Sequence, residues 1–110
     1  MAYLQDVPRL FYIKEIMQDF SEISQSDLES ILSDPKSILL DVREISEFAD
    51  FNIGGINIPP HEIKDRLEEL ISYQTIVVAC SNGTRSSIVA RLLTKKLPEK
   101  TIMHLEEGVF

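Results

Sequence analysis

The chain has 110 residues, 44% of them hydrophobic and 26% charged, the balance of a soluble globular protein and the length of one domain with a single core. Its formal net charge of −7 argues against nucleic acid or an anionic membrane surface as a partner. A single cysteine excludes an internal disulfide and fits a reducing, cytoplasmic setting, while the short apolar runs and the missing positively charged leader argue against a membrane span or a secretory signal.

Residues 8–20 predict an amphipathic helix. Asp6 can cap it, Pro8 suits its first turn, and Leu10, Ile13, Met17 and Phe20 share one face. A lid or partner-binding helix would show the same pattern, but packing on the domain's own surface is the simpler reading. The expected layout is therefore an N-terminal helical extension over 1–20, packed on a domain over 21–110. Ser26-Asp-Leu-Glu29 has the form of a capping box. It would open a helix carrying Leu28, Ile31 and Leu32, and Asp34-Pro35 would end that helix in a turn.

Residues 37–42 form a near-continuous apolar run, as in a central parallel strand. Asp41-Val-Arg-Glu44 closes the run with charges. Ligands in open α/β sheets bind outside the carboxyl ends of strands, so charges there are candidates for a site. Arg43 is the candidate anion contact. Asp41 reads as structural support, capping a short helix over 45–51. Asn52-Ile-Gly-Gly-Ile-Asn-Ile-Pro-Pro60 is a loop holding a short strand at 56–58, which the prolines end. A helix over 61–71 would bury Ile63, Leu67, Leu70 and Ile71 and expose Glu62, Asp65, Glu68 and Glu69.

The stretch Thr75-Ile-Val-Val-Ala-Cys80-Ser-Asn-Gly-Thr-Arg-Ser-Ser-Ile-Val-Ala90 reads as strand, tight loop and helix. Ile88, Val89, Leu92, Leu93 and Leu97 recur at helical intervals, and Leu97-Pro98 ends the helix. A lone cysteine at a strand end is ordinarily a small buried hydrophobe. The polar, glycine-bearing loop leading into a helix start changes that reading. Unpaired amides and the positive end of the helix dipole favour a thiolate, and Arg85 adds a fixed charge. A last strand is expected over 101–105. Alternation of strands and helices predicts an α/β fold, a mostly parallel sheet with helices on both faces.

Charge is distributed unevenly. No Asp or Glu occurs from position 71 to 98, where Arg85, Arg91, Lys95 and Lys96 fall. This suits an anionic substrate, although the last three also complement the helix's C-terminal end. Neither His61 nor His104 stands at ligand spacing from the other or from Cys80, so no metal centre is expected. Both read as structural.

Several motifs now stand in order: Leu40-Asp-Val-Arg-Glu44, Phe48, Ile53-Gly-Gly-Ile-Asn-Ile-Pro59, Ile76-Val-Val-Ala-Cys80-Ser-Asn-Gly-Thr-Arg-Ser86 and Leu105-Glu-Glu-Gly-Val109. In this order and spacing the chain resembles the rhodanese-like superfamily in its single-domain form, from about Ile23 onward. The resemblance implies a five-stranded parallel sheet and a sulfurtransferase of the thiosulfate type that carries sulfane sulfur as a persulfide on Cys80. Ser81, Asn82, Gly83, Thr84 and Arg85 match the family's anion-holding cradle. A small anionic donor such as thiosulfate, or a persulfide, would pass sulfur to cyanide, a thiol or a sulfur-relay protein, with no cofactor. The alternative is a non-catalytic sulfur carrier or regulatory docking module. Four residues between Cys80 and Arg85, where related phosphatases have five, rank phosphatase chemistry low. The chain departs from the family at Asn52-Ile-Gly-Gly-Ile56, where His-Ile-Pro-Gly-Ala is usual, and at Glu107-Gly108, where Gly-Gly is usual. The family's C-terminal helix has no counterpart here, and the helix over 8–20 is expected to cover that surface instead.

Overall fold

Short β-branched runs set the frame of the molecule. The computed structural model describes residues 20–110. The helix expected over 8–20, and with it the N-terminal extension over 1–20, lies outside the described residues apart from Phe20. Five strands, β1 (Ser21–Ile23), β2 (Ser37–Asp41), β3 (Ile56–Asn57), β4 (Thr75–Ala79) and β5 (Thr101–Leu105), form one sheet. Its order is β1-β5-β4-β2-β3 and every pairing is parallel. β4 lies at the centre, which is why Ile76 to Cys80 can all be apolar: each is fully buried.

Strand alternation sorts that run onto two faces. Ile76, Val78 and Cys80 join one core with Leu40, Val42, Val89, Ala90 and Leu93. Val77 and Ala79 join the other with Leu39, Leu105 and Val109. Helix α1 (Gln25–Leu32) covers the second face with Leu28, Ile31 and Leu32. Helix α3 (Thr84–Lys96) covers the first, with α2 (Ile45–Asp50) following β2. The expected α/β architecture, with helices on both faces, is what the chain adopts.

Three local expectations need correction. The capping box lies two residues earlier than expected: the Ser24 amide and hydroxyl both donate to Asp27 Oδ2, at 3.2 and 3.1 Å. The helix over 61–71 is instead two 3₁₀ turns, Pro60–Asp65 and Leu67–Leu70, broken at Arg66 with φ −125°. Each turn needs only one anchor, and Ile63 and Leu70 supply them, both fully buried. Arg66 forks to Glu62 and Glu69 across the break. Ile71, expected to be buried, is 62% exposed.

Parallel strands bring their carboxyl ends to one edge of the sheet. Residues 41–44 after β2, 80–83 after β4 and 106–109 after β5 therefore meet. The Val42 amide donates to the Ala79 carbonyl and the Val109 amide to the Cys80 carbonyl, both at 2.9 Å.

Candidate active site

Cys80 follows the last residue of β4, and its sulfur does what an N-cap side chain normally does for a helix. Gly83, the N-cap residue of α3, has φ +91° and makes no side-chain cap. Its amide donates to Cys80 Sγ at 3.1 Å, and the amide of Ser86 donates at 3.4 Å. The Ser86 hydroxyl adds a third donor at 3.2 Å. The thiol also lies 3.9 Å from Asn82 Oδ1. Burial pushes the Cys80 thiol up, while the Ser86 hydroxyl and the amides of Ser86, Asn82 and Gly83 push it down. The net direction is below the ordinary value of 9.0, so converging donors outweigh desolvation.

Glycine is required here for two different reasons. Gly83 needs its left-handed backbone to turn the loop into the helix, and a Cβ there would meet the Glu106 carbonyl oxygen at 2.8 Å. Gly108, φ +86°, presses on the loop itself, where a Cβ would overlap the carbonyl of Ser81.

The cradle expected over Ser81, Asn82, Gly83, Thr84 and Arg85 divides into different tasks. Gly83 donates to sulfur. The Thr84 amide turns instead to Asn82 Oδ1, at 3.1 Å. Arg85 grips Glu47 of α2 through Nη1–Oε1 at 2.7 Å and Nη2–Oε2 at 3.1 Å, and reaches Ser81 Oγ at 3.2 Å. The Arg85 hydrogen bonds and the Glu44 amide hold the Glu47 carboxyl down at about 2, and Glu47 in turn keeps Arg85 more firmly protonated than usual. The guanidinium therefore already holds a carboxylate on its anion-binding side.

Arg43, the expected anion contact, faces inward. Its side chain is 1% exposed. Nε and Nη2 donate to Asp41, and Nη2 also donates to the Phe51 carbonyl at 2.6 Å. The Asp41 hydrogen bond raises its affinity for its proton against the opposing effect of burial. Asp41 pairs with Arg43 instead of capping α2, at whose start stands Glu44. Asn57 completes this knot by donating to the carbonyls of Asp41 and Arg43. The thiol also departs from expectation in one respect: its side chain is fully buried.

Sequence reading missed three residues at the site. Ser86 touches the sulfur directly. His104, read as structural, places Nε2 2.7 Å from Ser86 Oγ and Nδ1 2.7 Å from Glu22 Oε1. His61, by contrast, is 67% exposed beside Glu62. Among the described residues no cluster of His, Cys, Asp and Glu could hold a metal ion, and no helix is long and apolar enough to cross a membrane.

The chain is similar to known proteins. The family described as Rhodanese-like domain matches residues 24–110. The protein named "Putative sulfur carrier protein YrkF" of Bacillus subtilis is 34% identical over 90 residues. The match covers 77% of this chain and 49% of YrkF, so this chain spans about half of that relative. The solved structure of reduced CoADR-RHD from Bacillus anthracis superimposes with a TM-score of 0.70 at 30% identity, over 81% of this chain and 16% of that one. A thiosulfate sulfurtransferase from Pseudomonas aeruginosa shares the fold, with a TM-score of 0.73 at 23% identity, over 87% of this chain and 19% of that one.

Proposed function

The chain belongs to the rhodanese-like domain family, and on that premise we propose that it transfers sulfane sulfur through a persulfide on Cys80. The observation that carries this reading is the convergence of the Gly83 and Ser86 amides and the Ser86 hydroxyl on one sulfur. Such an array stabilises an anion at the end of a short side chain.

The reaction has two displacements. The Cys80 thiolate attacks the outer sulfur of thiosulfate or of a persulfide. A bond forms between Sγ and that sulfur, and the bond to sulfite or to the donor thiolate breaks, its electron pair leaving with the donor. An acceptor nucleophile, cyanide or a thiol, then attacks the outer sulfur of the enzyme persulfide and returns Cys80 as thiolate. Ser81, Asn82, Gly83, Thr84 and Arg85 shape the cradle. Arg43 and Asp41 hold the adjoining loop in place, with Nε and Nη2 of Arg43 engaged by Asp41 and the Phe51 carbonyl. An anionic donor competes with Glu47 for Arg85. Because the sulfur is buried, donor access requires some of the groups around it to move aside. The chemistry suits a cytoplasm reducing enough to keep the thiol free.

A second reading, a sulfur carrier that loads once and hands its sulfur to a relay protein, is favoured by one observation: the Arg85 charge is already paired and the sulfur is closed off. The sulfur-carrier name of YrkF agrees with it. Steady-state thiocyanate formation from thiosulfate or a persulfide with cyanide separates the two. The transferase reading expects ping-pong turnover that Cys80→Ser reduces to background. A carrier loads stoichiometrically and does not turn over. Undiminished turnover by folded Cys80→Ser would overturn the mechanism.

A further inference from the structure

His104 is a buried titratable side chain that the two displacements above do not use. It is 3% exposed and stands on β5 directly across the parallel ladder from Glu22 of β1. With Nδ1 at Glu22 and Nε2 at Ser86, it completes an unbroken line of hydrogen bonds: Cys80 Sγ, Ser86 Oγ, His104, Glu22. The line runs from the buried sulfur to a carboxylate whose side chain is 39% exposed.

The protons on this line have two consistent arrangements. A hydroxyl carries one proton, a carboxylate only accepts, and a neutral imidazole donates from one nitrogen and accepts at the other. With Glu22 ionised, Nδ1–H donates to it. In the first arrangement Ser86 donates to Nε2, and the sulfur is a thiol that donates to Ser86. In the second Ser86 donates to a thiolate, and Nε2 carries a proton that it donates to Ser86. The ring is then an imidazolium, paired with Glu22. The Gly83 and Ser86 amides, which can only donate, favour the second arrangement at the sulfur.

We propose that His104 is a positioning residue that stores the proton of Cys80, acting through Ser86 and held by Glu22. When Cys80 ionises, the S–H bond breaks and its electron pair stays on sulfur. The proton bonds to Ser86 Oγ as the hydroxyl's own proton passes to Nε2. No charge leaves the line: a thiol and an imidazole become a thiolate and an imidazolium. Among the described residues, the Phe20 ring also bears on His104, edge-on at 5.7 Å, with the Arg91 guanidinium 5.8 Å from that ring's centroid. Arg85 bears on Cys80, its charge countered by Glu47. The proposal deepens the sulfur-transfer reading by assigning the route that activates its nucleophile.

The test is the pH dependence of Cys80 alkylation by iodoacetamide, measured on the full chain without any sulfur donor. His104→Gln and Glu22→Gln each move the midpoint upward by about one pH unit. Ser86→Ala moves it upward as well, and adding His104→Gln to Ser86→Ala moves it no further, because both break one line. A packing role for His104 would leave the midpoint in place. Glu22→Gln alters a rim position, so it keeps the question answerable if His104→Gln fails to fold. An unchanged midpoint in folded Glu22→Gln, or additive shifts in the double variant, would overturn the proposal. Failure of the sulfur-transfer reading looks different: shifted midpoints with no sulfur taken up by the wild type leave the proton line standing.

Discussion

The loops after β2 and β4 leave the same edge of the sheet, and they treat charge in opposite ways. The first holds Asp41, Arg43 and Glu44 and closes on itself, Arg43 and Asp41 buried and joined at 2.8 Å. The second contains one charged side chain, Arg85, which turns away to Glu47. Its buried centre is a sulfur with three donors. In the charge-rich loop Arg43 and Asp41 satisfy one another and Glu44 starts α2. The charge-poor loop, which we propose is the reactive one, turns its donors onto a single ionisable acceptor. On that proposal, reactivity follows backbone donors converging on one sulfur, not the density of charged residues.

Breaking the first loop should have the largest effect on stability. Asp41→Ala leaves Arg43 charged and buried without its partner, and should cost about 3–5 kcal/mol. Urea denaturation would read this as a lower midpoint; a midpoint within error of wild type would mean that the pair does not hold the loop. Pressing on the second loop comes next. Gly108→Ala forces a Cβ toward the Ser81 carbonyl at a positive φ and should cost about 1–3 kcal/mol, read as a lower melting temperature.

The link between the loops is the smallest effect. Glu47 and Arg85 are both more than a third exposed, so Glu47→Gln should cost about 0–1 kcal/mol near neutral pH. Its signature lies in acid. The Glu47 carboxyl is lowered from 4.5 to about 2, so the wild-type pair contributes stability above 4.5 and loses it as pH falls through about 2. Denaturation midpoints of wild type and Glu47→Gln should therefore converge across that interval on acidification. Curves that stay parallel would show that the pair adds nothing.

The strands and the Cys80 loop were legible because their signals are local. Thr75 to Val78 is β-branched and Ile76 to Ala79 apolar, and the following Ser-Asn-Gly-Thr-Arg is a turn chemistry that a buried strand end does not need. Arg43 was misread because its partner, Asp41, is only two residues away, and a sequence does not show that both side chains curl into the same buried turn. The helix over 61–71 failed because two short turns anchored by Ile63 and Leu70 give nearly the same apolar spacing as one helix. The Glu22 and His104 contact spans 82 positions. Only the parallel register of β1 against β5 places the two residues side by side, and that register is not written in either segment alone.

The most direct test of a reactive sulfur in the second loop is the intact mass of the protein after incubation with thiosulfate or a small-molecule persulfide at neutral pH. The proposed mechanism predicts a gain of one sulfur atom on wild type, removed by cyanide and absent from Cys80→Ser. No gain with either donor, or the same gain on Cys80→Ser, would contradict it.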